Sequence, residues 1–275
     1  MNEREFTFTD QDFSRIKKIV YDFAGIDLND SKKNLVYNRL AKRIRFLELQ
    51  SFKEYLNYVQ EQGETEFVNL INAVTTNLTF FFRENHHFDY LANTVIPLLL
   101  ETNKASKKIR IWSAGCSTGE EPYSLAIVLK ESVPQGWDAK VIATDLDTNV
   151  VDTARTGIYP IERLKGVDET RKKRWFLKGS GKQAGLVKVK SELQTCIEFG
   201  QINLMHDWPI NDPIDVIFCR NVVIYFDKPT QARLFDRYAD LLPEHGHLFI
   251  GHSESLYKVC DRFELIGQTI YRKVR

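Results

Sequence analysis

The stretch Ile109–Ala126, IRIWSAGCSTGEEPYSLA, decides the reading of this chain. A short apolar run, Ile109, Ile111 and Trp112, ends in the small-residue turn Ala114-Gly115-Cys116-Ser117-Thr118-Gly119. Two glutamates and a proline follow, then an apolar helical pattern through Leu125, Val128 and Leu129. Strand, glycine turn and helix in that order let a ligand approach bare backbone at a helix N-terminus. A second apolar run, Val141-Ile142-Ala143-Thr144, delivers Asp145 30 residues after Gly115. An acid at the end of the second strand of such a unit bonds ribose hydroxyls. The pair implies a cofactor that contains a nucleoside.

The charges around the turn narrow that class. Glu120 and Glu121 fall where phosphate oxygens would go, and no GKS or GKT follows, so a phosphate ligand is disfavoured. A carboxylate there suits a cationic end, such as the amino group or sulfonium of S-adenosylmethionine. Gly115 and Gly119 also have a purely structural reading: they permit a tight turn and a helix start, with Pro122 in the first turn and the glutamates complementing the helix dipole.

Working outward, the composition is that of an ordinary globular protein: 275 residues, 43% hydrophobic, 27% charged, net charge +1. That balance offers no global attraction to nucleic acid or membrane. No apolar stretch approaches the ~20 residues of a membrane span, and the start MNEREFTFTD does not read as a signal peptide. Cys116, Cys196, Cys219 and Cys260 are far apart and form no CxxC, which fits a reducing cytoplasm and argues against a disulfide scaffold or zinc ribbon. His86-His87 lacks neighbours at metal-ligand spacing and reads as packing or surface histidines, with no metal expected.

Residues up to about Leu100 show helical spacing, as in Phe13, Ile16, Ile19, Val20 and Phe23. Asp30-Ser31 is a plausible cap for a helix from Lys32 to Leu49, with Val36, Leu40, Ile44 and Leu47 on one stripe. Arg39, Lys42 and Arg45 lie opposite, with Lys32 and Arg43 near the edge. The plain reading is a solvated face; the scarcity of nearby acids also suits an acidic partner. From Lys108 onward strand-like and helical runs alternate, which predicts a parallel sheet covered on both faces. The clearest strands are Ile109–Ser113, Val141–Thr144, Val216–Cys219, His247–Gly251 and Gln268–Arg272. Between about 158 and 203 glycines punctuate the chain, and Leu186–Lys190 and Thr195–Phe199 alternate like short antiparallel strands of a β insertion.

Two further stretches carry chemistry. In Thr75–Glu84, TTNLTFFFRE, capping residues lead into three phenylalanines that read as core. Arg83 directly after them calls for a carboxylate partner, which its planar fork can hold bidentately; near a methyl donor that partner could be a substrate carboxylate. In Phe218–Phe226, FCRNVVIYF, a buried strand runs into Arg220-Asn221, with Tyr225 close behind, beyond the carboxyl end of the strand where open α/β sheets bind ligands.

Together NLTFFFRE, WSAGCSTGEEPYSLA, ATDLD, FCRNVVIYFDK and LFIGHSES closely resemble the bacterial chemotaxis-receptor glutamate methyltransferases, the CheR family, in order over nearly the whole chain. The resemblance implies an N-terminal helical domain over 1–100 for receptor recognition. It further implies an α/β domain over 101–275, a Rossmann-like S-adenosylmethionine-dependent methyltransferase sheet with a small inserted antiparallel β subdomain at about 158–203. By the same resemblance Asn77, Thr79 and Arg83 line the cofactor and methyl site, Glu121 holds the methionyl end and Asp145 the ribose. Asn203 and Leu204 lie beside adenine, and Arg220, Asn221 and Tyr225 close the reaction site, with Arg83 and Tyr225 as the catalytic pair. The family sets a basic helix, matching Arg39, Lys42, Arg43 and Arg45, on the acidic helical region of membrane chemoreceptors in the cytoplasm. Some members also hold the receptor's C-terminal peptide through a loop like Gly179-x-Gly181-x-x-x-Gly185. The implied enzyme is monomeric, esterifies receptor glutamates with a methyl group from S-adenosylmethionine, leaves S-adenosylhomocysteine, and uses neither nucleic acid nor membrane insertion. A nicotinamide-dependent dehydrogenase, a nucleic-acid methyltransferase and a non-catalytic cofactor sensor remain the alternatives. Glu120-Glu121 speaks against the first, and the charge balance with no Asn-Pro-Pro-Tyr-type motif against the second. The third would have no need of Arg83 and Tyr225.

Overall fold

The computed structural model describes residues 4–75, 77–210 and 212–275, so Thr76 of the TTNLTFFFRE stretch lies outside the described residues. Helices α1 (Asp10–Ala24), α2 (Lys33–Phe46), α3 (Phe52–Gln62) and α4 (Glu64–Val74) open the chain. Thr9 and Asp12 form a reciprocal capping box at the start of α1, and Phe13, Ile16, Val20 and Ala24 form its buried stripe. Gly25 ends that helix in the left-handed conformation, φ 70°, where a Cβ would also stand 2.6 Å from the Met205 sulfur. Helix α2 begins at Lys33, after a 3-10 turn over Asp30–Lys32, and stops at Phe46, short of the expected Leu49.

Short helices α5 (His86–Tyr90) and α6 (Ile96–Thr102) lead into β1 (Lys108–Ala114), α7 (Glu120–Ser132), β2 (Asp138–Asp145) and α8 (Thr148–Thr156). Next come β3 (Ile158–Pro160), α9 (Glu169–Trp175), β4 (Phe176–Lys178), β5 (Leu186–Val189), α10 (Ser191–Gln194) and β6 (Ile197–Gln201). The chain closes with β7 (Val216–Cys219), α11 (Lys228–Leu241), β8 (His247–Ile250), β9 (Phe263–Gly267) and β10 (Ile270–Lys273). The main sheet runs β6-β2-β1-β7-β8-β10-β9, and β3-β5-β4 form a separate antiparallel sheet. Strands β6, β2, β1, β7 and β8 are mutually parallel; β10 returns antiparallel between β8 and β9. This is a Rossmann-like sheet with N-terminal helices and a small antiparallel β insertion.

Strand period decides how the faces are covered. Trp112, Ala114, Ile217, Cys219, Leu248 and Ile250 point into one core together with the buried residues of α1–α4 and α11. Ile109, Ile111, Val216, Phe218 and Phe249 alternate with them and pack on the other face with α7 and the small sheet. The N-terminal helices are therefore one of the two layers that cover the sheet.

The Thr195–Phe199 expectation is corrected. The strand there is Ile197–Gln201, and it pairs parallel with β2, Val141 facing Ile197, as an edge of the main sheet. Alternation alone cannot separate an antiparallel hairpin from a half-exposed parallel edge; only the partner does. The last strand, expected over Gln268–Arg272, is Ile270–Lys273 and is one arm of a hairpin whose other arm, β9, the sequence reading missed. Among the described residues no helix is long and apolar enough to cross a membrane.

Candidate active site

Strand β1 and strand β7 are neighbours, but the chain leaves them toward opposite sides of the sheet, and a crevice opens beyond their carboxyl ends. A cleft lies there. Every residue named above for the cofactor and the reaction lines it: Asn77, Thr79, Arg83, Glu121, Asp145, Asn203, Leu204, Arg220, Asn221 and Tyr225. Ala24 and Ile26 join them from the end of α1, an N-terminal contribution the sequence reading missed.

The glycine turn is tight for a packing reason. A Cβ on Gly115 would stand 2.3 Å from Val222 Cγ2, so only glycine lets the β7 loop close against the turn. The two glutamates at the start of α7 then diverge. Glu121 faces the cleft, where its Oε1 accepts from the Ser113 hydroxyl at 2.8 Å and its Oε2 from Arg220 at 2.9 Å. Glu120 does not line the cleft; it accepts from the Thr118 hydroxyl at 2.6 Å and pairs with Arg163 at 3.3 Å. Adjacent helix positions point about 100° apart, so the doublet could not present both acids to one ligand. Burial raises the pKa of each, against the hydrogen bonds that oppose it.

Asp145 ends β2 and accepts the Ser117 N–H at 2.8 Å and the Asp147 N–H at 3.0 Å. Burial drives its pKa up to about 6, with those N–H bonds pulling the other way. Asp147, quoted in ATDLD but given no role, receives the Asn77 amide at 2.9 Å and so ties the loop before Arg83 to β2. The Asn203 amide donates to the Phe23 carbonyl at 2.7 Å, joining this wall of the cleft to α1.

Arg83 stands at the cleft with one amino group donating to the Leu78 carbonyl at 2.9 Å and its guanidinium 5.8 Å from the Phe80 ring centroid. Among the described residues it makes no ion pair. The expectation of three core phenylalanines is corrected: Phe81 and Phe82 are buried, while Phe80 is 46% exposed beneath Arg83. Burial raises the Tyr225 pKa, against the nearby Arg83 and Arg39 charges, so the phenol stays neutral at physiological pH. Arg220 is buried and held by Glu121 and, at 3.2 Å, by Glu84.

The basic helix face is also corrected. Arg43 forms a two-point pair with buried Glu66, at 3.0 and 2.6 Å, so its charge serves the helical layer. Arg39 donates to the carbonyls of Ala73 and Thr75, at the entry to the loop that carries Arg83. Lys42 remains exposed, and Arg45, also exposed, forms a two-point pair with Glu5 at 3.2 and 2.6 Å. Glycines 179, 181 and 185 sit in the β4–β5 connection. A Cβ at Gly179 would meet the Gln183 carbonyl oxygen at 2.1 Å, whereas Gly181 and Gly185 have positive φ and open space. Among the described residues no group of His, Cys, Asp and Glu is arranged to hold a metal ion.

Comparison with known proteins finds two family models in succession: CheR methyltransferase, all-alpha domain, over residues 11–75, and CheR methyltransferase, SAM binding domain, over residues 77–272. The chain is 47% identical over 272 residues to chemotaxis protein methyltransferase 2 of Pseudomonas aeruginosa, covering 98% of this chain and 95% of that one. It is 44% identical over 276 residues to the chemotaxis protein methyltransferase of Escherichia coli, covering 98% and 93%. It is 43% identical over 273 residues to that of Salmonella typhimurium, covering 98% and 92%.

The buried acid at the end of β2 makes a testable prediction. A carboxyl whose pKa rises on folding from an unfolded value of ~3.9 stabilises the fold fully below that value. That contribution is lost as pH rises through about 6. Asp145→Asn keeps an acceptor oxygen without the charge, so its thermal stability relative to the unmodified protein should climb between pH 4 and pH 8. Melting curves across that range check it, and a difference that does not vary with pH would mean that Asp145 titrates as it does when unfolded.

Proposed function

The chain belongs to the CheR methyltransferase family, and from that premise we propose that Arg83 and Tyr225 organise methyl esterification of glutamate side chains on chemoreceptors. The protein is an S-adenosylmethionine-dependent protein methyltransferase that methylates chemoreceptors. The residues of the cleft fit that cofactor. Glu121 offers a carboxylate to the methionyl amine and Asp145 one to the ribose hydroxyls, while Ile202 and Leu204 offer apolar surface to adenine beside Asn203. When bound, S-adenosylmethionine supplies a methyl group activated by its sulfonium.

The chain itself has little acid–base work to do, because a glutamate side chain with pKa ~4.3 is already ionised at neutral pH. What remains is alignment, worth up to ~7–11 kcal/mol in ideal cases. Arg83, with no ion pair among the described residues, orients the substrate carboxylate, and this is the observation that carries the reading. Tyr225, a neutral phenol from the facing loop, shapes the space around the methyl group. Residues 1–100 act in receptor recognition, apart from Asn77, Thr79 and Arg83, which join the catalytic part over 101–275 at the cleft. The enzyme works as a cytoplasmic monomer, with Lys42 and Arg45 of α2 facing the acidic helical region of the receptor. The glycine loop between β4 and β5 accepts the receptor's C-terminal peptide at the sheet edge.

Incubation with labelled S-adenosylmethionine and receptor-containing membranes should place base-labile label on the receptor; absence of such label would refute the reading. Arg83→Ala should lower turnover at saturating cofactor and receptor far more than it weakens receptor docking, as removal of a contact made to the reacting group does. Lys42→Glu with Arg45→Glu should slow methylation at low salt and leave cofactor affinity unchanged in calorimetry, since exposed charges act over ~8–10 Å. Unslowed methylation would make this face merely solvated. A bulky residue at Gly181, where a Cβ meets open space, should abolish binding of receptor tail peptides. Failure of the unmodified protein to bind any tail from its own organism would leave the small sheet a structural element.

A further inference from the structure

Glu254, in the GHSES sequence after β8, has no part in the reading so far, yet it is only 6% exposed. Its carboxylate lies behind the reaction-site loop. One oxygen accepts the N–H of Gly251 at 2.5 Å and of Asn221 at 2.9 Å, and the other accepts the N–H of Ile224 at 3.2 Å. These partners are all backbone groups, and among the described residues no cation pairs with it. A buried carboxylate without a counter-ion is costly, and donors that replace its water must compensate.

The donors share a location. Asn221 and Ile224 belong to the segment that carries Arg220 and Tyr225 into the cleft. That segment is strained: Asn221 has φ 59°, in the left-handed region that favours glycine. Gly251, at the end of β8, makes room for it, because a Cβ there would stand 2.4 Å from the Asn221 amide nitrogen and 2.9 Å from its backbone nitrogen. A short 3-10 turn over Val223–Tyr225 follows directly. Without the carboxylate, nothing described at these two N–H groups would hold the turn against the end of β8.

We propose that Glu254 is a positioning residue for methyl transfer: by gathering the N–H groups of Gly251, Asn221 and Ile224 it sets the loop from which Arg220 and Tyr225 reach the cleft. The kinetic side of this proposal rests on the methyltransferase reading; the structural side does not. Glu254→Gln replaces one acceptor oxygen by an amide group that faces N–H donors. Hydrogen exchange should then quicken at least tenfold in the peptide spanning 219–226, with β1 and β2 unchanged. Turnover at saturating cofactor and receptor should fall by about 10²-fold, as loss of alignment at a reacting centre can cause. The receptor KM and cofactor affinity should shift by less than turnover does, and Glu254→Asp should recover part of the loss. Unchanged exchange, or quicker exchange with full turnover, overturns the proposal; so does a loss that merely tracks the folded fraction. If Glu254→Gln does not fold, Gly251→Ala displaces the same loop while keeping the carboxylate, and the same two measurements decide. Should the unmodified protein transfer no methyl group to receptors, the functional reading fails, and the exchange measurement still judges Glu254.

Discussion

The guanidinium of Arg220 is nearly sealed from solvent, and three parts of the molecule meet on it. It pairs with Glu121 from the start of α7 and with Glu84 from the loop before α5, and it donates to the carbonyl of Arg83. Burial would raise the Glu84 carboxyl, but the His252 and Arg220 contacts outweigh it and hold the group down at about 2. Removing one member of such a cluster leaves an uncompensated buried charge, commonly at ~3–5 kcal/mol. The cluster joins Glu121 in the cleft to the backbone of Arg83. A shift of the β7 loop is therefore felt at both ends of the cleft.

Around that cluster the site is assembled from loops that other elements restrain. Asp147 holds Asn77, Ser113 holds Glu121, and Arg39 holds the carbonyls of Ala73 and Thr75. The Tyr225 carbonyl accepts the Asp27 N–H at 2.7 Å, beside the isolated bridge between Ile26 and Phe226. The N-terminal layer thus reaches the reaction site through direct contacts as well as through the shared core. A partner that engaged α2 would lie one residue contact away from the loop carrying Arg83.

Much of the site was legible because its side chains sit at points where local pattern and chemistry coincide. A strand end, a glycine turn and an acid at fixed spacing are visible in one dimension, so Glu121 and Asp145 could be picked out. Where the pattern was degenerate, the reading went astray. The glutamate doublet did not reveal that Glu120 turns toward Arg163. The run of phenylalanines did not reveal that Phe80 stays exposed. The cations of α2 looked alike, although Arg43 answers a buried glutamate 23 positions away. Glu254 is invisible to a side-chain pattern, because its partners are backbone groups of Gly251, Asn221 and Ile224.

The sequence by itself determined the alternation of strand and helix after Lys108, the class of cofactor and the residues that line its cleft. The first two follow from periodicity, turn chemistry and charge sign, which are local, whereas most of the lining residues follow from the resemblance to the CheR family. Tertiary structure alone decided that Ile197–Gln201 joins the main sheet in parallel, that the N-terminal helices form one of its layers, and that Arg43 pairs with buried Glu66. Each of these depends on what lies opposite a residue in space. Hydrogen-bond partners and buried counter-charges across distant segments set that, and a one-dimensional pattern does not carry it.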